Sequence, residues 1–182
     1  AILIPTVYPV FAPLNPVSLP EFEVVWAQVL LFRSWVRFGV VYRPPVHSEL
    51  MPACLIDYLT SVLDLSIPTI LVGDFNYPDI DWISGKASAS NGQRLFFHFT
   101  ITAGLDQLIR FPTRNDKILD LVFVTEPNLV QCLELGPKFE FCDHETLMGS
   151  LVCQIPKAIS TKYHDFLRAD YFSIEQHLLF VR

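Results

Sequence analysis

The sequence predicts an α/β sandwich, with β-sheets stacked face to face and covered by helices. Three observations carry this expectation. Short apolar runs recur between Gly and Pro breaks, as strands buried in a core do. A few longer segments instead show the i, i+3, i+4 spacing of amphipathic helices. Hydrophobic residues make up 51% of the 182-residue chain against 18% charged. That suffices for one packed domain and is too apolar for a disordered chain.

The elements are taken in chain order. Residues 21–32, rich in Val, Trp and Leu, and residues 35–42, ending Val40-Val41-Tyr42, read as two strands joined by a turn at Arg33-Ser34. Pro44-Pro45 ends the second, because proline donates nothing to a ladder. Residues 48–65 read as a helix with Ser48 as N-cap and Leu55, Tyr58, Leu59, Val62 and Leu63 on its apolar face. Pro52 falls near its first turn, where a missing N–H costs least. Residues 69–72 (Thr-Ile-Leu-Val) form a strand buried on both faces, stopped by Gly73-Asp74-Phe75-Asn76.

Residues 77–93 are turn-rich and read as a loop. Residues 94–103 suit a helix, with Gly104 at its C′ position. Short strands are expected at 106–109, 119–125, 129–134 and 147–153. Pro156 marks an edge between a domain spanning 1–155 and a linker spanning 156–182. The linker carries a short helix at about 172–181 that has too little apolar surface to fold alone.

Nineteen acidic and thirteen basic residues give a net charge of −6. A protein held to nucleic acid mainly by electrostatics would be basic. An enzyme meeting nucleic acid through bound cations is still allowed, since metal-binding carboxylates lower the net charge. Cys54, Cys132, Cys142 and Cys153 form neither a CxxC pair nor a zinc spacing. They read as reduced, buried or incidental thiols of an intracellular protein, nuclear or cytoplasmic. No stretch reaches the roughly 18 apolar residues of a membrane span. The opening Ala1-Ile-Leu-Ile-Pro5 has no basic region and no initiating Met, so it reads as a truncated front rather than a signal peptide.

Four segments can carry chemistry. Asp74 and Asn76 are two apart at a strand end, so extended geometry points both side chains the same way. Such a pair can orient a water, one group accepting its proton and the other donating to the oxygen it attacks. The same tetrapeptide also reads as an ordinary turn. Asp120 interrupts the apolar run Leu119-Asp-Leu-Val-Phe-Val124, which is costly without a partner. Asp143-His144 precedes another apolar strand; a carboxylate-oriented His can stabilise charge on a phosphate, and the acid could face Mg²⁺. Val41-Tyr-Arg-Pro-Pro45 ends a strand with a hydroxyl, a cation and a rigid bend.

The order of these segments, Tyr-Arg-Pro-Pro, Gly-Asp-Phe-Asn, Leu-Asp-Leu-Val-Phe and Asp-His, resembles the endonuclease/exonuclease/phosphatase superfamily. Phe75, residues 106–114 (Asp-Gln-Leu-Ile-Arg-Phe-Pro-Thr-Arg) and residues 120–124 bring it closest to the endonuclease domain of non-LTR (LINE-type, jockey/CR1-like) retrotransposons. The resemblance spans residues 1–154, and the C-terminal remainder is similar to the linker before a reverse transcriptase. It implies a four-layer α/β sandwich, two packed β-sheets flanked by helices, lacking its first strands. It also implies Mg²⁺-dependent (or Mn²⁺-dependent) nicking of DNA, with element RNA and reverse transcriptase as partners in the full polyprotein.

By the same resemblance, Asp74 orients or deprotonates the attacking water, and Asn76 and Tyr42 contact the scissile phosphate. Asp120 pairs with His144, Asp143 lies at the metal, and Thr113 and Arg114 touch the DNA backbone. Two departures stand out. The family's leading Asn strand and metal-binding Glu have no counterpart, and Cys142 replaces the usual Ser before Asp-His. Weak or absent activity of this chain is therefore expected. The alternatives are a non-catalytic remnant or interaction module, and a phosphoinositide or sphingomyelin phosphodiesterase of the same fold.

Overall fold

A computed structural model describes residues 1–31, 34–45, 51–87, 91–140 and 142–152. Eleven strands are described: β1 (Val10–Phe11), β2 (Val17–Ser18), β3 (Glu23–Leu31), β4 (Ser34–Tyr42), β5 (Thr69–Asp74), β6 (Ile80–Asp81), β7 (Lys86–Ala87), β8 (Asp106–Gln107), β9 (Asp120–Val124), β10 (Val130–Leu135) and β11 (Leu147–Leu151). Helix α1 (Met51–Val62) lies between β4 and β5, and α2 (Asn91–Thr102) between β7 and β8.

The long apolar runs pair as expected. β3 and β4 run antiparallel from Glu23↔Tyr42 to Leu31↔Ser34. The turn expected at Arg33-Ser34 and the N-cap at Ser48 fall wholly or partly outside the described residues. β4 then pairs β5 in parallel, from Arg37↔Thr69 to Tyr42↔Asp74, with α1 as the crossover that a parallel pair requires. β5 pairs β9 antiparallel, from Ile70↔Val124 to Asp74↔Asp120. The result is a mixed seven-stranded sheet ordered β1-β3-β4-β5-β9-β8, with β2 also on β3.

Both faces of this sheet are covered, which is why its central strands are apolar at consecutive positions. Trp26, Val41, Leu71, Leu121 and Phe123 pack against Leu55 and Leu59 of α1 and Phe96 and Phe99 of α2. The alternate residues Val29, Val36, Ile70, Val122 and Val124 form the other face, against Leu133 of β10 and Leu147 of β11. β10 and β11 pair with each other as a separate antiparallel sheet. Helices, main sheet and second sheet thus stack as the α/β sandwich the sequence predicts.

Three local features differ from expectation. The segment read as a loop at 77–93 holds a hairpin, with Ile80↔Ala87 and Asp81↔Lys86 paired. The Asp81 carboxylate accepts from the backbone N–H of Ile83 and Ser84 and from the Ser84 hydroxyl, and Gly85 takes φ 69°. Helix α2 starts at Asn91 rather than 94, its first turn tied to the hairpin by Gln93 Nε2 donating to Asp79 Oδ2 at 2.6 Å. Cys54, Cys132 and Cys142 are free and exposed rather than buried. Cys54 falls on the outer face of α1 beside the buried Leu55. Cys132 sits at an irregularity of β10 with φ 53°, and Cys153 lies outside the described residues. No described helix is long and apolar enough to cross a membrane.

Candidate active site

The site grows out of strand alternation. On β4, β5 and β9 the residues 36 and 38, 70 and 72, and 122 and 124 belong to the face toward β10 and β11. Continuing that period of two places Tyr42, Asp74 and Asp120 on the same face at the strand ends. The register aligns them in a row, Tyr42 opposite Asp74 and Asp74 opposite Asp120. The segment between β10 and β11 carries His144 onto this row.

Gly73 makes the row possible. Its φ is 145°, and a Cβ there would run into the Val41 carbonyl oxygen of the neighbouring strand. Only glycine fits this close backbone approach, so the residue before Asp74 is fixed by packing.

His144 Nδ1 donates to the Asp120 carboxylate at 2.9 Å (Oδ2) and 3.1 Å (Oδ1). Its other nitrogen, Nε2, lies 3.9 Å from Asp74 Oδ2 and 4.0 Å from Asp143 Oδ1. Burial, followed by the nearby Asp120 charge, pushes the Asp74 carboxyl above the usual carboxylate range. Asp143 is open to solvent and pairs with Arg114 Nη2. Desolvation is the largest single influence and pushes its carboxyl up, but the Arg114 hydrogen bond and charge, with smaller contributions from its own backbone N–H and His144, together hold it below that range.

Asn76, Tyr42, Arg114 and Thr113 lie around this core. Asn76 takes φ 49°, its N–H donates to Asp74 Oδ1 at 3.1 Å, and its Nδ2 donates to the Arg43 carbonyl at 2.7 Å. Tyr42 is 45% exposed at the row's open end. Arg114 is partly exposed beside Asp143. Thr113 departs from the expected DNA contact, for it is fully buried. Its hydroxyl accepts from the N–H of Leu119 (3.0 Å) and Asp120 (2.9 Å), and its carbonyl accepts from the N–H of Glu145 (2.8 Å). It ties the Asp120 strand to the His144 segment from beneath. Arg43, noted in the sequence only as a cation at a strand end, is also buried here.

Asp74, Asp120 and His144 offer ligand atoms within 4.8 Å of one another. Both Asp120 oxygens are engaged by His144, whereas Asp74 Oδ2 and Asp143 Oδ1 face the same imidazole nitrogen with lone pairs to spare. Mg²⁺ takes one or two carboxylates and keeps several waters, so a carboxylate cluster of this kind suits it. The residues present therefore fit a hard divalent cation.

Residues 36–148, well over half of the chain, match the endonuclease–reverse transcriptase family, Exo_endo_phos_2. The chain belongs to this family. Curated protein sequences hold no match to it. Among solved structures, this family member is similar to the endonuclease domain of TRAS1, a telomere-specific non-LTR retrotransposon. The two share 15% identity with a TM-score of 0.65 over 84% of this chain and 72% of that one. It is also similar to an endonuclease/exonuclease/phosphatase protein from Beutenbergia cavernae (17% identity, TM-score 0.56, 69% of this chain and 38% of that one). An AP endonuclease from Archaeoglobus fulgidus shares the fold at 14% identity and TM-score 0.51, over 69% and 64% of the two chains. These likenesses establish the endonuclease/exonuclease/phosphatase fold for this family member, which spans less than two thirds of the latter two proteins.

Proposed function

We propose that this domain nicks DNA by hydrolysing one phosphodiester bond. The observation that carries the proposal is the in-register row Tyr42–Asp74–Asp120 closed by His144. A buried carboxylate of raised pKa suits a general base, because its protonated and ionised forms lie closer in energy at working pH. Asp74 accepts the proton of the attacking water. Asn76, whose carboxamide is fixed by the Arg43 carbonyl, has a second N–H for a phosphate oxygen. The Tyr42 hydroxyl donates to the same phosphate.

Asp120 fixes the His144 ring by holding its Nδ1–H, which presents Nε2 to the reacting group. From there His144 stabilises the charge that develops on the phosphate or its leaving oxygen. Asp143 would lie at the Mg²⁺, with Mn²⁺ as a substitute, and the ion would supply Lewis-acid charge at the phosphate. Arg114 reaches the DNA backbone beside Asp143. DNA as substrate is supported by the family and by the TRAS1 likeness. The linker expected at 156–182, with its helix at about 172–181, lies outside the described residues; a reverse transcriptase and its RNA are the further partners the family suggests.

Supercoiled-plasmid nicking in Mg²⁺ and in EDTA, beside His144→Ala, tests this. Weak nicking that needs both Mg²⁺ and His144 is the expected result. A folded chain that leaves plasmid intact in Mg²⁺ and in Mn²⁺ would assign it to the non-catalytic reading.

A further inference from the structure

Arg43 is 5% exposed, and no carboxylate lies within ion-pair distance of it among the described residues. A buried guanidinium stays charged and is costly without partners. Its partners here all belong to one stretch of four residues. Nη1 donates to the carbonyls of Asn76 at 2.9 Å and Phe75 at 3.3 Å. The guanidinium carbon stacks 4.2 Å from the centroid of the Tyr77 ring, a cation–π contact. That ring is in turn stacked on Phe96 of α2, with centroids 4.3 Å apart.

The Arg43 backbone adds two bonds to the same stretch. Its N–H donates to the Asp74 carbonyl at 2.8 Å, and its carbonyl accepts from Asn76 Nδ2 at 2.7 Å. Arg43 and Asn76 therefore grip each other reciprocally, side chain to backbone in both directions. Asn takes a φ of 49° readily, as Asn115 (φ 53°) and Asn128 (φ 68°) do, so what the grip adds is the direction of the carboxamide.

We propose that Arg43 is the positioning residue of the site, a buried cation that locks the Asp74–Tyr77 stretch and aims the Asn76 carboxamide. The proposal rests on the functional reading above for the role of Asn76, but the grip itself is a property of the fold. Arg43 touches neither substrate nor metal. It acts through the Asp74–Tyr77 stretch, whose Phe75 and Asn76 carbonyls it bonds and whose Tyr77 ring it stacks on.

Two readouts test it on the full chain carrying Arg43→Met or Arg43→Lys. The first is amide hydrogen exchange. In Arg43→Met the amides of Arg43 and Asn76 exchange at least about tenfold faster, while those of Ile70 to Val72 on the same strand keep their protection. The second is plasmid nicking in Mg²⁺. There kcat falls about 10²-fold, the scale expected for misplacing one group by about 1 Å, with KM changed far less. Arg43→Lys keeps the charge and recovers part of both.

A role confined to general stability would instead speed exchange throughout the sheet and give no rescue by Lys. Unchanged exchange at residues 74–77 in a folded Arg43→Met chain overturns the proposal, as does unchanged kcat in an active one. If Arg43→Met fails to fold, Arg43→Lys carries both measurements, with an intermediate loss expected. Should the unaltered protein nick no DNA, the functional reading fails while hydrogen exchange still decides the role of Arg43.

Discussion

His144 donates from Nδ1 to both oxygens of Asp120 across 24 residues of chain. That bond fixes the ring's orientation and leaves Nε2 facing Asp74 at 3.9 Å. In Asp120→Asn the carboxamide can offer an N–H to the ring and turn it to the wrong tautomer. Nicking by His144→Ala or Asp120→Asn is expected to fall about 10²–10⁴-fold. The pair acts as a unit, so the double variant should be little worse than either single one. Full additivity in steady-state nicking would show that the two act independently.

Asp74 places function and stability in opposition. Burial and the Asp120 charge raise its folded-state pKa above the unfolded value. Its contribution to stability is therefore fully present below the unfolded pKa, about 3.9, and is lost as pH rises through the folded one. At pH 7 the ionised carboxylate is a net cost to the fold. Asp74→Asn keeps an acceptor for the Asn76 N–H and removes that cost. Its Tm at pH 7 should rise above that of the unaltered protein while nicking disappears. The Tm difference should shrink as pH falls toward 4. A lower Tm at pH 7 would contradict this account.

Thr113 separates support from contact. Thr113→Val leaves the N–H groups of Leu119 and Asp120 without their hydroxyl acceptor, at a cost of about 1–3 kcal/mol. Thermal melting should drop by roughly 2–4 °C for each kcal/mol lost, and Thr113→Ser should restore most of it. Because the hydroxyl faces inward, the salt dependence of DNA binding should not change. A shallower salt slope in Thr113→Val would place the residue on the DNA after all.

Arg114 should behave in the opposite way. Its pair with Asp143 is substantially exposed, and such pairs add little to stability, so Arg114→Ala should melt within about a degree or two of the parent. DNA binding should weaken uniformly across sequences, with the slope of log K against log salt reduced by about 0.9. Fluorescence anisotropy with a short duplex at several salt concentrations measures both.

The site was legible where chemistry interrupts a pattern. Asp120 stands out because a carboxylate breaks an apolar strand, and Asp74 and Asn76 because they come directly after a strand buried on both faces. Their alignment with Tyr42 results from strand period and register once the pairing is known. Thr113 was illegible as a support because its partners lie six and seven residues away across a return that no periodicity announces. The burial of Arg43 was illegible because its partners, the Phe75 and Asn76 carbonyls and the Tyr77 ring, lie more than thirty residues away in the chain. The short strands β1 and β2 escaped for a related reason: two residues cannot show an alternation. The hairpin at Ile80–Asp81 and Lys86–Ala87 was hidden by the turn residues that close it.

The row of Tyr42, Asp74 and Asp120 draws one member from each of three strands, and its fourth partner comes from the segment that joins β10 to β11. No contiguous segment of the chain therefore contains a competent centre. A nascent or partly unfolded copy, with β9 not yet zipped onto β5, has its base and its imidazole tens of residues apart and cannot cut. Under the proposed function, folding itself acts as the safety catch: the capacity to break DNA appears only when the central sheet has closed, and it is lost on first opening.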